Sequence, residues 1–217
     1  MRSSMRSTKS RILTTLICGV LVLTGCAVPG KKGTSSTADK ADGKSQSVKV
    51  DKSTQSSFDR AVTMMKSGNH AGAIPLLEEI TNAEPKLAAP YANLGIAYLQ
   101  TNRLNDAEKA FEKATALNPK HAPYWNYLGI TLRQTGKFNE AQTAYNKALQ
   151  ADPEYGDAHL NLGILQDLYL KNPTAALTHY QAYQAQANPK DKQVDKWIAD
   201  LEKRTKSTAP KSKGTTP

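Results

Sequence analysis

Apolar and small residues recur along this chain with a spacing of 34 residues. Between Tyr91 and Tyr155 the same series occurs twice: an aromatic residue, Leu-Gly, a large residue, an aromatic between two alanines, and a proline. The first copy is Tyr91, Leu94, Gly95, Tyr98, Ala107, Phe111, Ala114 and Pro119, and the second is Trp125, Leu128, Gly129, Leu132, Ala141, Tyr145, Ala148 and Pro153. A constant offset over the whole series indicates one structural unit used twice.

The series resembles the tetratricopeptide repeat, a helix-turn-helix unit of about 34 residues. Small residues such as Gly95 and Ala107 allow the two helices of a unit to approach closely. Pro119 ends the second helix, because proline cannot continue one. Asn102 and Gly136 stand at the predicted turns, where a left-handed residue fits. The resemblance implies an all-α fold, a right-handed superhelical solenoid.

Extending the period in both directions predicts about four repeats and a C-terminal capping helix. The predicted segments are a weaker repeat at 54–87, repeats at 88–121 and 122–155, a degenerate repeat at 156–188, a capping helix at 189–205 and a disordered tail at 206–217. The fourth repeat fits only with one additional residue, which we expect in the loop before Pro173, with Asn172 as helix cap. For the capping helix, Asn188 is the expected cap and Pro189 the first-turn proline.

The amino terminus has the layout of a secretory signal over residues 1–25. Four basic residues precede an apolar run, Ile12 to Leu23, that is too short to span a bilayer, which needs roughly 20 residues. The run ends in Leu-Thr-Gly-Cys, which resembles a bacterial lipobox. The resemblance implies lipidation of Cys26, and Ala27 after it implies the periplasmic face of the outer membrane rather than the inner membrane. Residues 26–53 are polar and predict a disordered tether.

The net charge of +10 lies in the terminal segments, because residues 54–205 carry no net charge. A neutral repeat region lacks the basic face that nucleic-acid binding requires, so we expect no nucleic-acid partner. The four histidines have no metal-ligand spacing, and no phosphate loop or nucleophile motif occurs. We therefore expect no metal, no cofactor and no enzymatic activity.

The expected function is protein binding through the concave face, which the first helix of each repeat forms. The residue after Leu-Gly should face this groove, with other first-helix positions beside it. The candidate partner-binding residues are Val62, Ile96, Leu99, Asn126, Ile130, Arg133, Leu160 and Ile164, and neighbouring groove positions are Phe58, Met65, Ala92 and Asp167. Alternatively, the isoleucines are ordinary packing residues. If they face the groove, they form an aliphatic stripe with a polar patch near Asn126 and Arg133, which fits an apolar or amphipathic segment.

These features predict a lipid-anchored adaptor of the Gram-negative cell envelope that binds an envelope protein. Its layout is similar to that of the pilotins, which assist assembly of outer-membrane secretins. Other lipoproteins with such repeats regulate peptidoglycan enzymes or accompany TonB-type systems. One scaffold serves many partners, so the repeat pattern leaves these alternatives open.

Overall fold

The computed structural model describes residues 51–208, and all of the regular structure there is helical. The predicted signal peptide, Cys26 and residues 209–217 lie outside the described residues. The helices are α1 (Lys52–Lys66), α2 (His70–Ala83), α3 (Ala88–Gln100), α4 (Leu104–Leu117), α5 (Ala122–Gln134), α6 (Phe138–Ala151), α7 (Gly156–Leu168), α8 (Pro173–Gln186) and α9 (Lys192–Thr208).

The first eight helices form four antiparallel pairs: α1 with α2, α3 with α4, α5 with α6, and α7 with α8. The second helix of each pair packs against the first helix of the next, and α9 packs against α8. The first helices α1, α3, α5 and α7 also contact one another in sequence. Each element therefore touches only near neighbours in the chain, as in a solenoid. The predicted all-α repeat solenoid is confirmed.

Within three of the pairs, a glycine lies against an aromatic ring of the second helix. A Cβ atom built on Gly95 would stand 2.8 Å from the ring of Phe111, and one on Gly129 would stand 2.5 Å from the ring of Tyr145. In the fourth pair, Gly163 faces Tyr180 in the same way, at 2.6 Å. The absence of a side chain lets each ring enter the space between the helices, where all three aromatic residues are buried.

The turns within the pairs contain a residue with positive φ, as the sequence indicates. Gly68, Asn102 and Gly136 have φ values of 82°, 59° and 79°. In the fourth pair this place is taken by Lys171, with φ 53°, one residue later than the period requires. The additional residue thus lies in the loop before Pro173. Asn172 accepts a hydrogen bond from the Ala175 amide as the predicted cap.

Three predicted boundaries differ from the structure. The capping helix continues to Thr208, so the prediction of a disordered tail from residue 206 is wrong for residues 206–208. Helix α1 begins at Lys52, inside the predicted tether, because the Asp51 carboxylate accepts hydrogen bonds from the amides of Ser53 and Thr54. The capping helix begins at Lys192, since Asp191, and not Asn188, caps it through the Gln193 amide at 2.8 Å. Pro189 accordingly lies in the connection before α9. Between residues 51 and 208 no helix has the length and apolar character that a membrane span needs.

Candidate interaction surface

The aliphatic residues of the expected stripe occupy equivalent places on the first helices. Val62, Ile96, Ile130 and Ile164 lie on α1, α3, α5 and α7, and each side chain is half-buried. Ile96 and Ile130 pack against the main core, and Ile164 packs against the smaller core formed with α9. The three isoleucines therefore contribute to packing while leaving part of their surface accessible. The two interpretations of the stripe are thus compatible.

Leu99 and Leu160 share this environment. Both are half-buried and pack against the same two cores, Leu99 against the main one and Leu160 against the smaller one. Together with the stripe they place six half-buried aliphatic side chains on the first helices. We call Val62, Ile96, Leu99, Ile130, Leu160 and Ile164 the aliphatic face.

In the expected polar patch, Asn126 is buried and not accessible as predicted. Only 3% of this residue is exposed, and its Oδ1 accepts a hydrogen bond from Nδ2 of Asn161 at 3.1 Å. Asn161 also donates to the backbone carbonyl of Asp157 at 2.9 Å. The prediction of an available groove contact at Asn126 is therefore wrong, because the side chain is enclosed. It links the third pair to the fourth instead.

Arg133, the second residue of the patch, is half-buried. Its Nε donates a hydrogen bond of 3.4 Å to the hydroxyl of Tyr145 on the second helix of the same pair. The guanidinium is thus directed towards the second helix of its own pair and retains an accessible part. Asp167, another expected groove position, pairs with Arg204 of α9 at 2.7 Å, so the capping helix neutralises it.

Sequence reasoning did not identify a pocket of about 300 Å³ at the start of three first helices. Its lining consists of Thr54, Gln55, Phe58, Ile80, Leu87, Ala88, Ala89, Pro90, Asn118 and Tyr124. These residues come from five separate segments of the chain, so no local pattern groups them. Phe58 alone was expected on the groove side. The lining contains no charged residue, and it therefore favours an uncharged apolar group.

A pair of histidines provides the only contact between imidazoles in the described part of the chain. Nδ1 of His159 and Nδ1 of His179 are 3.1 Å apart, and Nε2 of His159 is 3.1 Å from the carbonyl oxygen of Pro153. Since His159 donates from Nε2 in its neutral form, its Nδ1 accepts from His179. Burial, together with the nearby His159, lowers the pKa of His179. Among residues 51–208 no three His, Cys, Asp or Glu side chains are placed to hold a metal ion.

Comparisons with known families agree with this architecture. Residues 64–129 match a tetratricopeptide repeat model, and residues 131–167 match a second model described as a TPR repeat. No curated protein sequence shows a significant match to the chain. The helical array thus contains tetratricopeptide repeats.

Solved structures with similar folds come from several sources. PilF of Pseudomonas aeruginosa is 22% identical with a TM-score of 0.63, and the match covers 71% of this chain and 69% of PilF. MamA of MSR-1 is 23% identical with a TM-score of 0.60, covering 72% of this chain and 89% of MamA. A tetratricopeptide repeat protein from Parabacteroides merdae is 21% identical with a TM-score of 0.62, and the match covers 72% of this chain and 62% of that protein. At these identities the likeness shows the fold.

The array is a tetratricopeptide solenoid, a class of protein–protein interaction scaffold that is typically non-catalytic. The aliphatic face and the apolar pocket both leave apolar surface accessible on this scaffold. A large apolar group in a pocket is the usual centre of binding energy at protein interfaces.

Proposed function

We propose that this protein is a lipid-anchored adaptor of the Gram-negative cell envelope that binds another envelope protein through its first-helix face. It performs no reaction of its own and requires no cofactor. The observation that carries the proposal is the aliphatic face, in which half-buried apolar side chains recur at equivalent places on four successive first helices. A row of apolar groups along parallel helices matches an apolar or amphipathic segment of a partner.

The lipid anchor supports the cellular setting. The amino-terminal basic residues, the apolar run and the Leu-Thr-Gly-Cys sequence carry this part of the proposal, with Cys26 as the acylated residue. Acyl chains bind membranes with about 0.8 kcal/mol per buried CH₂, so several chains hold a protein stably at the surface. The proposed location is the periplasmic face of the outer membrane.

Site-specific photo-crosslinking tests the adaptor function. A photoreactive amino acid at Leu99, expressed in the intact lipoprotein, should give a discrete adduct with an envelope protein. Replacing Ile96 and Ile130 with Asp should abolish the adduct, because an ionised carboxylate at an apolar contact loses its hydration without a partner. Leu117→Asp, at a half-buried position on α4, is the matched control and should leave the adduct intact.

Circular dichroism of each variant separates loss of binding from loss of folding. If the adduct survives the double replacement in a folded protein, the first-helix face is not the binding surface. Deletion of the gene then distinguishes the partner classes: loss of secretin multimers with normal cell shape indicates a pilotin-type factor. Altered cell shape or lysis indicates a regulator of a peptidoglycan enzyme, and defective energy-dependent uptake indicates a TonB-type system.

A further inference from the structure

The apolar pocket lies where the first helices of three successive pairs begin. Its walls include Thr54 and Phe58 of α1, Ala89 of α3 and Tyr124 of α5. Its volume of about 300 Å³ is at the lower end of the range for ligand pockets. A space of this size accommodates one large apolar side chain, and the uncharged lining excludes an ionised one.

The rim of the pocket carries a row of positive charges that follows the repeat. Lys52, Lys86 and Lys120 are spaced by 34 residues, all three are exposed, and each lies within two residues of the lining. Among the described residues none of the three lysines has an ion-pair partner. Acidic residues are also close: Asp51 and Glu84 share this edge, and Asp59 and Glu79 adjoin the lining residues Phe58 and Ile80. Asp59 accepts a hydrogen bond from the side chain of Gln55 at 2.9 Å. The Asp51 carboxylate is already engaged, because it accepts hydrogen bonds from Ser53 and Thr54 in capping α1.

The helix ends add to the positive potential. The amino terminus of a helix carries a partial positive charge, and an acidic residue in the first turn usually offsets it. Helices α1, α3 and α5 all begin at this edge with no acidic residue in the first turn. Moreover, α3 and α5 lack a side-chain cap. Pro90 and Pro123 have no amide proton, and the Tyr124 amide donates to the His121 carbonyl at 3.1 Å, so the amides of Ala88 and Ala89 at the start of α3 are left without a side-chain partner. The fourth pair differs, since α7 begins with Asp157 in its first turn and Glu154 stands where the other pairs have lysine.

We propose that this pocket is the anchor site for an acidic segment of the partner protein that carries one large apolar side chain. The apolar side chain fills the pocket between Phe58 and Tyr124. Flanking Asp or Glu side chains lie against Lys52, Lys86 and Lys120 and the uncapped start of α3. This inference rests on the proposed adaptor function, and it adds the chemistry of the partner and the end of the array at which it is held.

The concave shape favours a peptide over a membrane surface. A protein that lies on lipid inserts a protruding apolar face, whereas this apolar surface is recessed between helices. A second copy of the chain is the other possible occupant. The large apolar residues that are most exposed in the described chain are Leu168 and Tyr169, and they lie at the end of α7, inside the fourth pair. The test therefore also measures binding to lipid vesicles and self-association of the protein.

The pocket variant is Ala89→Glu. Ala89 is exposed, lines the pocket and is the second residue of α3, where a glutamate is favourable for the helix. The substitution should therefore introduce a charge into the pocket without weakening the fold. Ala71→Glu is the matched control, since Ala71 is the exposed second residue of α2 and is not part of the pocket. The charge variant replaces the three rim lysines with Gln, and its control replaces the exposed Lys113, Lys196 and Lys203.

The probe is obtained by panning a random peptide library on the full-length protein in detergent. Enriched peptides should combine one Phe, Leu or Trp with neighbouring Asp or Glu, and a synthetic copy should bind the Ala71→Glu control normally. Ala89→Glu should reduce its affinity at least about tenfold, because an anchor in a pocket dominates binding. The rim-lysine variant should reduce it several-fold at low salt, and the difference should shrink as about 0.5 M salt screens the charges.

Several outcomes would overturn the inference. One is enrichment of peptides that lack acidic residues, and another is an unchanged affinity of Ala89→Glu for the synthetic peptide. A third is binding of the protein, prepared without its lipid, to vesicles of anionic phospholipid. A concentration-dependent dimer in sedimentation that Ala89→Glu abolishes would identify a second copy as the occupant and would overturn it too. If the photo-crosslinked adduct is lost in the Ile96/Ile130 variant but retained in Ala89→Glu, the adaptor function stands and the pocket assignment fails.

Discussion

The backbone of Gly129 lies so close to the ring of Tyr145 that a Cβ atom at position 129 would stand 2.5 Å from Cε1 of the tyrosine. Tyr145 is fully buried, so protein atoms surround its ring. Equivalent contacts occur in the second and fourth pairs. This contact therefore explains why the Leu-Gly dipeptide recurs in three repeats. It requires the smallest side chain on one helix and a large one on the other.

Gly129→Ala should lower the free energy of unfolding by about 1–2 kcal/mol, because overpacking costs roughly 1–3 kcal/mol. Alanine recovers up to about 1 kcal/mol through its higher helix propensity. Urea denaturation of the purified protein measures the difference. Gly156→Ala is the control, since its nearest neighbouring atom lies at an ordinary 3.5 Å and the added methyl group should be neutral or stabilising. Equal stability of Gly129→Ala and wild type would show that the ring shifts at no cost.

Tyr98→Phe should destabilise the junction between the first and second pairs. The Tyr98 hydroxyl donates to Oε1 of Glu78 at 2.5 Å, and a hydrogen bond to a charged group contributes about 1.5–3 kcal/mol. Burial, followed by the hydrogen bond with Glu78, raises the pKa of Tyr98 to about 12. The unfolded tyrosine loses its proton near pH 10 and the folded one only near 12, so stability should fall between these values.

Denaturation at about pH 8 and pH 11 tests both the destabilisation of Tyr98→Phe and the loss of wild-type stability at high pH. The wild type should lose more stability over this interval than Tyr98→Phe, which has no phenol at this position. The other buried tyrosines titrate in both proteins, so only the difference is informative. Parallel losses in the two proteins would contradict the assignment to Tyr98.

His179 should make the protein less stable in mild acid. Burial, and then the charge of His159, lower the pKa of His179 below its ordinary value of 6.5. As the pH falls below 6.5, the unfolded chain binds a proton that the folded chain does not yet bind, so the free energy of unfolding decreases. The loss stops below the folded pKa. Denaturation at about pH 7.5 and pH 5 should show a smaller decrease for His179→Gln than for the wild type.

His121, whose pKa is also lowered by burial, remains in the His179→Gln variant and supplies the background decrease. His121→Gln provides the reciprocal measurement. If His179→Gln shows the full wild-type decrease, the histidine pair does not carry the acid sensitivity.

Cys26→Ser should release the protein from membranes, because the acylated thiol is the proposed anchor and a hydroxyl is not modified by that route. Cell fractionation with and without carbonate washing measures the effect, and metabolic labelling with a fatty-acid analogue reports the acylation itself. Cys18→Ser is the matched control, since Cys18 lies within the apolar run of the proposed signal, upstream of the proposed acylation site. A Cys26→Ser protein that remained bound to the membrane would rule out the lipid anchor.

The sequence by itself determined the repeat, its 34-residue period and the residues that begin or end most helices. Turn residues such as Gly136 and caps such as Asn172 act on backbone groups a few positions away, so their effect is visible in local sequence. The glycine and aromatic positions were identifiable for the same reason, because the spacing between Gly129 and Tyr145 is repeated in the preceding unit.

Only the tertiary structure decided which of these residues are accessible and which are enclosed. Asn126 is buried, and its side chain accepts a hydrogen bond from Asn161, 35 residues later. The start of α9 depends on Asp191, whose cap competes with that expected at Asn188. The apolar pocket is assembled from five segments between Thr54 and Tyr124, and the folded array alone brings them together. Periodicity specifies which face of a helix is apolar, whereas the packing of distant segments determines how much of that face a partner can reach.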